Sequence, residues 1–286
     1  MNLIEERRKK MYQLKNENPY LNIMIYGPPG VGKTWLTSTA QNHPKMRDVY
    51  YLNVEGGLAT ISSRGDIKAI NIIGIERFKP TADKPALRPH ESTLEDEFWK
   101  LAAREGEYAS INTVVIDSGT EIQTLNLEIL AFEGVKKNKM RTPDELWIED
   151  YGKSTAQLKR IFRWFRDLPM NVIITALPQS IYPKGEANKS KQTEPIEVRP
   201  QFTDKLGTSL MGYVDFVWYM YKDKEERYLL TQEHGVFRAK TRGIKFAEKI
   251  GPTILVKKES SPGHKGIDLA GIYELYLNTE QTQGEN

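Results

Sequence analysis

Between Ile25 and Leu36 the chain reads IYGPPGVGKTWL. Gly27, Gly32, Lys33 and Thr34 satisfy the spacing G-x-x-x-x-G-K-[ST], the signature of a loop that wraps phosphate groups. The apolar run LNIMIYG ahead of it predicts a strand, and TWLTSTAQN behind it predicts the start of a helix. The loop must turn tightly and bring bare backbone close to a ligand, which is what glycine permits. Successive N–H groups then point inward as an anion-binding nest. The segment Gly27, Pro28, Pro29, Gly30, Val31, Gly32, Lys33, Thr34, Trp35 is therefore expected to hold a nucleotide. Lys33 would reach the β- and γ-phosphates and the Thr34 hydroxyl would bind Mg²⁺. The glycines are not spaced as G-x-G-x-x-G, which argues against a dinucleotide fold.

A second constraint is what the chain lacks. It has 286 residues and no cysteine, so disulfides, thiolate catalysis and cysteine zinc sites are excluded. His43, His90, His234 and His264 are scattered without ligand spacing. Hydrophobic residues at 39% and charged residues at 28% are ordinary for a globular domain. The first residues carry charge but no apolar run, so no signal peptide is expected. Even YVDFVWYMY is interrupted by Asp215, so no bilayer span and no membrane partner are expected, and the expected location is cytoplasmic. A net charge of +3 is compatible with a nucleic-acid partner without arguing for one.

Periodicity sketches the rest. Residues 2–17 read as a charged helix, making 1–19 a separate N-terminal element. Buried strands are expected at 48–57, 67–75, 112–119 and 171–177, and helices at 93–106, 120–137 and 151–169. In the last helix Leu158, Ile161, Phe162, Phe165 and Leu168 share one face, with Lys159, Arg160, Arg163 and Arg166 mostly off it as a solvated surface. The segment 178–209 shows no period and reads as a functional or mobile loop. Strands are expected at 213–222, 227–232 and 236–242, the last two joined by a turn at EHG. The alternation predicts an α/β core over 20–250, a mostly parallel twisted sheet with helices on both faces and antiparallel edge strands. Residues 251–277 would extend this core, and the polar tail 278–286 would be disordered.

Ligands in such sheets bind beyond the carboxyl ends of the strands. Two acids are expected there. Asp117 follows TVVI, the Walker B arrangement, and would hold Mg²⁺ directly or through water. The next residue, where many oligomeric ATPases carry the glutamate that activates water, is Ser118. Hydrolysis still needs a base near the γ-phosphate. Glu55, which ends its strand before Gly56 and Gly57, is the best placed.

The combination GPPGVGKT (27–34), YLNVEGG (51–57) and TVVIDS (113–118) resembles the RecA-like branch of ATPases. More closely, the chain looks like the short RecA-like P-loop ATPases of bacteriophages, a group associated with single-strand annealing and recombination. The resemblance takes in YGK to RDLP (151–169), NVIIT and RAKTR, and covers roughly residues 20 to 245. It implies ATP and Mg²⁺ as cofactors, Glu55 as the base, and a homo-oligomer with nucleotide at the subunit interface. Lys240 and Arg242 would then touch a neighbour's γ-phosphate. A cation supplied that way can be worth ~10³–10⁵ in rate. The resemblance also places single-stranded DNA at the loop 178–209, with Tyr182, Lys184, Lys189, Lys191, Arg199, Phe202 and Lys205 as contacts. The resemblance also implies a single-strand-binding protein as a further partner. Glu186, Glu194, Glu197 and Asp204 nearly cancel that charge. One departure stands out: Thr175, Ala176 and Leu177 replace the polar sensor of RecA, and Gln179 is displaced from it.

The leading expectation is an Mg²⁺-dependent RecA-like ATPase acting on single-stranded DNA in phage recombination or replication. The alternatives are an annealing or scaffold protein that binds nucleotide structurally, and, last, a small-molecule phosphotransferase.

Overall fold

A computed structural model describes residues 20–77, 86–142, 144–183, 194–257 and 265–281. The helix expected over 2–17 lies outside them, as do Lys184, Lys189 and Lys191. The strands are β1 (Asn22–Tyr26), β2 (Val49–Asn53), β3 (Lys68–Ile72), β4 (Glu91–Ser92), β5 (Thr113–Asp117) and β6 (Asn171–Ala176). There follow β7 (Pro178–Ile181), β8 (Glu197–Pro200), β9 (Phe216–Asp223), β10 (Glu226–Leu230), β11 (Lys240–Thr241) and β12 (Thr253–Leu255). The α-helices are α1 (Lys33–Ser38), α2 (Leu94–Ala103), α3 (Gly119–Lys137), α4 (Ile148–Arg166), α5 (Asp204–Tyr213), α6 (Ile244–Ile250) and α7 (Leu269–Gln281).

The continuous apolar runs form the middle of one ten-stranded sheet, in the order β12-β10-β9-β1-β6-β5-β2-β3-β4, with β11 added alongside β9. Every residue of β1, β2, β5 and β6 is buried, as a strand covered on both faces requires. From β9 to β4 all pairings are parallel, while β10, β11 and β12 add antiparallel at one edge, as anticipated. Alternate residues of β1 feed two cores. Ile23 and Ile25 pack with Leu36 of α1, Phe246 of α6 and Ile272 and Tyr273 of α7. Met24 and Tyr26 pack with Leu101 of α2, Ile122 of α3, Phe162 and Phe165 of α4 and Leu210 of α5. Each such side chain contributes roughly 1.5–3 kcal/mol on burial.

Three expectations need correction. The segment 178–209 is not structureless: β7 and β8 pair antiparallel from Pro178↔Pro200 to Ile181↔Glu197, and α5 begins at Asp204. Its polar sequence hid a short, half-exposed hairpin. Second, the turn expected at EHG is present, closed by an antiparallel bridge between His234 and Phe237, but 227–232 and 236–242 do not pair as neighbouring strands. β10 pairs instead with β9 through a turn in which Lys224 takes φ +53°, while 236–242 contributes β11, beside β9, and a bridge from Phe237 to Val198 of β8. Trp218 Nε1 donates to Thr241 Oγ1 at 3.0 Å and helps fix that placement. Third, residues 278–281 of the expected tail are the last turn of α7.

Register positions the site. Tyr26 lies opposite Ala176, and Asn53 opposite Asp117, so the chain leaves β1, β6, β5 and β2 along one edge of the sheet. No helix among the described residues is long and apolar enough to cross a membrane.

Candidate active site

The loop after β1 is shaped by glycines. Gly30 and Gly32 have φ +73° and +107°, the left-handed region that residues with a Cβ avoid. Gly27 is required for a different reason. A Cβ there would stand 2.2 Å from the carbonyl oxygen of Met220 on β9. Gly27 N–H donates to Ala176 O (3.2 Å), tying the loop to the end of β6, and Leu36 N–H donates to Gly32 O (2.9 Å) as the helix begins. Beneath it the buried Tyr51 hydroxyl donates to Thr34 O at 3.0 Å and lies 2.7 Å from Thr37 Oγ1. Val31 packs in the core and Trp35 lies half-buried against it.

Lys33 folds back into its own loop. Its Nζ donates to Gly27 O at 2.8 Å and Pro28 O at 3.0 Å. Burial pushes its ammonium below the usual lysine range, opposed by the negative charges of Glu55 and Asp117. The two carboxylates expected beside the phosphates are thus both close enough to act on it.

Asp117 is buried at the end of β5. Thr34 Oγ1 donates to its Oδ2 at 2.8 Å, and Thr175 Oγ1 to its Oδ1 at 2.5 Å. The pair expected to hold Mg²⁺ therefore meets directly, a hydroxyl against a carboxylate. Two such hard oxygen donors suit Mg²⁺, which usually takes few protein ligands and completes its shell with phosphate and water. Thr175 stands where the sequence departs from the polar sensor of RecA, and from the strand adjacent to β5 it holds the Asp117 carboxylate. Its place near the end of an apolar strand is the signal the sequence offers for this contact.

Glu55 lies just past β2, exposed, and the backbone N–H groups of Val54 (2.8 Å) and Glu55 (3.4 Å) both donate to Asp117 O. Ser118 Oγ donates to its carboxylate, and the peptide between Asp117 and Ser118 is cis. Ser118 also opens α3, accepting from Glu121 N–H at 3.4 Å. The residue that replaces a glutamate in the sequence thus holds the glutamate supplied by another strand. Burial and the nearby Glu55 raise the Glu121 carboxyl above its ordinary range.

Other expected residues lie elsewhere. Lys240 Nζ donates to Met211 O (2.7 Å) and Val214 O (2.8 Å), satisfying carbonyls at the end of α5. Arg242 Nη1 donates to Asp215 Oδ1 at 2.6 Å. Arg242 N–H donates to Asp215 O, and Asp215 N–H to Asn22 O, so Arg242 sits at the end of β1 opposite the phosphate loop. Within one chain the two are not brought to the nucleotide site.

The proposed DNA contacts also divide. Tyr182 and Lys205 are exposed. Phe202 is 3% exposed and packs against Gly119, so it is a core residue rather than a stacking platform. Arg199 is paired with Asp204 and lies 3.9 Å from Glu197.

The loop after β1, the Thr34–Asp117 pair and Glu55 converge on one sheet edge, and a family profile described as "AAA domain" matches residues 20–243. The chain belongs to the AAA domain family. It is a P-loop ATPase with the mostly parallel α/β core expected from its motifs. No curated protein matches the sequence. Among solved structures, this AAA domain is similar to a KaiC-like protein of the hyperthermophilic archaeon Pyrococcus horikoshii OT3. Identity is 12% and the TM-score 0.36, over 77% of this chain and 84% of that one. It is similar also to the flagellar accessory protein FlaH of Methanocaldococcus jannaschii, at 12% identity and TM-score 0.35 over 84% and 85%. A type III secretion ATPase of pathogenic bacteria shares 14% identity, with TM-score 0.36 over 71% of this chain and 51% of that one.

Proposed function

We propose that this ATPase hydrolyses Mg²⁺-ATP with Glu55 as base, works as a homo-oligomer, and acts on single-stranded DNA in phage recombination or replication. The observation that carries the catalytic part is the convergence at the sheet edge. Thr34 and Asp117 share a hydrogen bond, and Glu55 is held beside them by Ser118. Lys33 would bind the β- and γ-phosphates, Thr34 and Asp117 would hold the Mg²⁺ that neutralises charge on the transferring group, and Glu55 would orient and deprotonate water.

The placement of Lys240 and Arg242 away from their own phosphate loop supports a role at the site of a neighbouring subunit. Arg242 is the better candidate, because Lys240 is already committed to helix carbonyls. The case for DNA rests on the family resemblance and on Tyr182 and Lys205. These lie around a hairpin that continues directly from β6, whose Thr175 touches Asp117. The site of action would be the cytoplasm.

The test is ATP turnover with Mg²⁺, with and without single-stranded DNA. Stimulation by the strand supports the proposal. Turnover without stimulation removes the DNA role, and absence of turnover with retained ATP binding indicates a nucleotide-stabilised scaffold.

A further inference from the structure

The β9–β10 hairpin carries a cation that the motifs do not account for. β9 runs parallel to β1 from Ile23↔Phe216 to Tyr26↔Tyr219, so Met220 and the residues after it extend past the sheet edge alongside the phosphate loop. The contact is close at both ends of the loop. The carbonyl of Met220 occupies the space a Gly27 Cβ would need, and Arg227 of β10 occupies the space beside Gly32. The Nε of Arg227 lies 3.2 Å, and its Cδ 3.4 Å, from where a Gly32 Cβ would be.

That Nε is buried and has no hydrogen-bond partner, and no carboxylate pairs with Arg227 among the described residues. Arg141, Arg199, Arg238 and Arg242 each hold a carboxylate. A buried donor left unmade is costly, and a guanidinium is the side chain best matched to phosphate oxygens. Its position is set by backbone, not by a flexible tail. Arg227 lies opposite Lys222 in the hairpin, and its carbonyl accepts from Val256 N–H at 2.8 Å. Lys222 adds a second cation on the same hairpin, exposed and 3.9 Å from Glu225.

We propose that Arg227 contacts the nucleotide in cis, its guanidinium binding the phosphate chain held by the loop at Gly32. This rests on the assignment of residues 27–34 as the nucleotide site. It differs from any contribution of a neighbouring subunit, because it needs only one chain. In the absence of nucleotide the guanidinium waits beside the loop; with nucleotide bound it gains the anion it lacks.

The experiment measures the affinity of ADP and ATPγS, each with Mg²⁺, using fluorescent nucleotide analogues. The proteins are wild type, Lys33→Ala, Arg227→Ala, Arg227→Gln and Arg227→Lys, each with a melting curve taken without nucleotide. Loss of one charge-assisted contact predicts about 10- to 100-fold weaker binding for Arg227→Ala and Arg227→Gln, with partial recovery in Arg227→Lys. A loss shared by ADP and ATPγS places the contact on the phosphates common to both, and a loss confined to ATPγS places it on the γ-phosphate; either supports it. If Arg227→Ala melts early, Arg227→Gln, which keeps much of the packing stem, carries the reading. Affinity within twofold of wild type in Arg227→Gln, with Lys33→Ala unable to bind, overturns the role of Arg227 alone. Failure of wild type to bind either nucleotide overturns the site assignment and this proposal together.

Discussion

Ser118 donates its hydroxyl to the carboxylate of Glu55, joining the first residue after the Walker B strand to the residue just past β2. The bond holds an otherwise exposed carboxylate beside the end of β5. Glu55→Gln should retain ATP binding and lose turnover by ~10²-fold or more, the scale of a general base. Ser118→Ala keeps the base but frees it, so kcat should fall about tenfold with KM little changed. Steady-state kinetics of both variants decide it. Normal turnover in Glu55→Gln would remove Glu55 from the mechanism.

Lys33→Ala should abolish nucleotide binding measured by calorimetry, since the loop then lacks the charge that meets the β- and γ-phosphates. Tight ATP binding by this variant would sink the phosphate-loop assignment.

Gly27 is fixed by its neighbour on β9. In Gly27→Ala the added methyl would lie 2.2 Å from the Met220 carbonyl, a backbone atom that cannot turn aside. Either β1 and β9 part or the loop lifts. Thermal melting should show a loss of about 1–3 kcal/mol, the usual cost of overpacking. An unchanged melting temperature would mean that the hairpin yields freely.

The ion pair of Arg141 with Asp150 is buried where α4 begins, and Gly134 of α3 leaves the space for the guanidinium. Hydrogen bonding from Arg141 is the main force holding the Asp150 carboxyl below its ordinary range. A depressed carboxyl contributes stability above its unfolded pKa, near 3.8, and loses it as pH falls through the folded value. Arg141→Ala should cost roughly 3–5 kcal/mol at pH 7, because it strands a buried charge. In urea titrations the gap between wild type and Asp150→Asn should narrow as pH drops below about 4. A gap constant down to pH 3 would contradict the assignment.

Arg242→Ala removes an exposed pair with Asp215, which on stability grounds is worth about 0–1 kcal/mol. If Arg242 serves a neighbouring subunit, turnover should fall by at least tenfold while the melting temperature holds. Unchanged turnover would argue against that role.

The turn after β1 and the placing of Asp117 and Glu55 at strand ends were legible in the sequence because each depends on a few adjacent residues: glycines where φ is positive, or an acid at the end of an apolar strand. The central strands were legible for the same reason, being apolar on both faces. Features built from distant partners were not legible. Phe202 looked like a platform for a base because its spacing does not show that Gly119 leaves room for it in the core. Lys240 looked like a free cation because its acceptors, the carbonyls of Met211 and Val214, belong to a helix end rather than to any motif. The pairing of β10 with β9 rather than with the strand after it depends on a tight turn at Lys224, and that pairing is what brings Arg227 to the loop.

Lys33 is latched to its own loop by the carbonyls of Gly27 and Pro28. On the proposed role of Lys33, nucleotide entry would be an exchange of one set of oxygens for another. The lysine would give up two neutral acceptors to take charged ones, and only the difference would add to affinity. After hydrolysis the same carbonyls would be there to reclaim it, so the loop would carry its own competitor for the product. Such a site would trade tight binding for ready release.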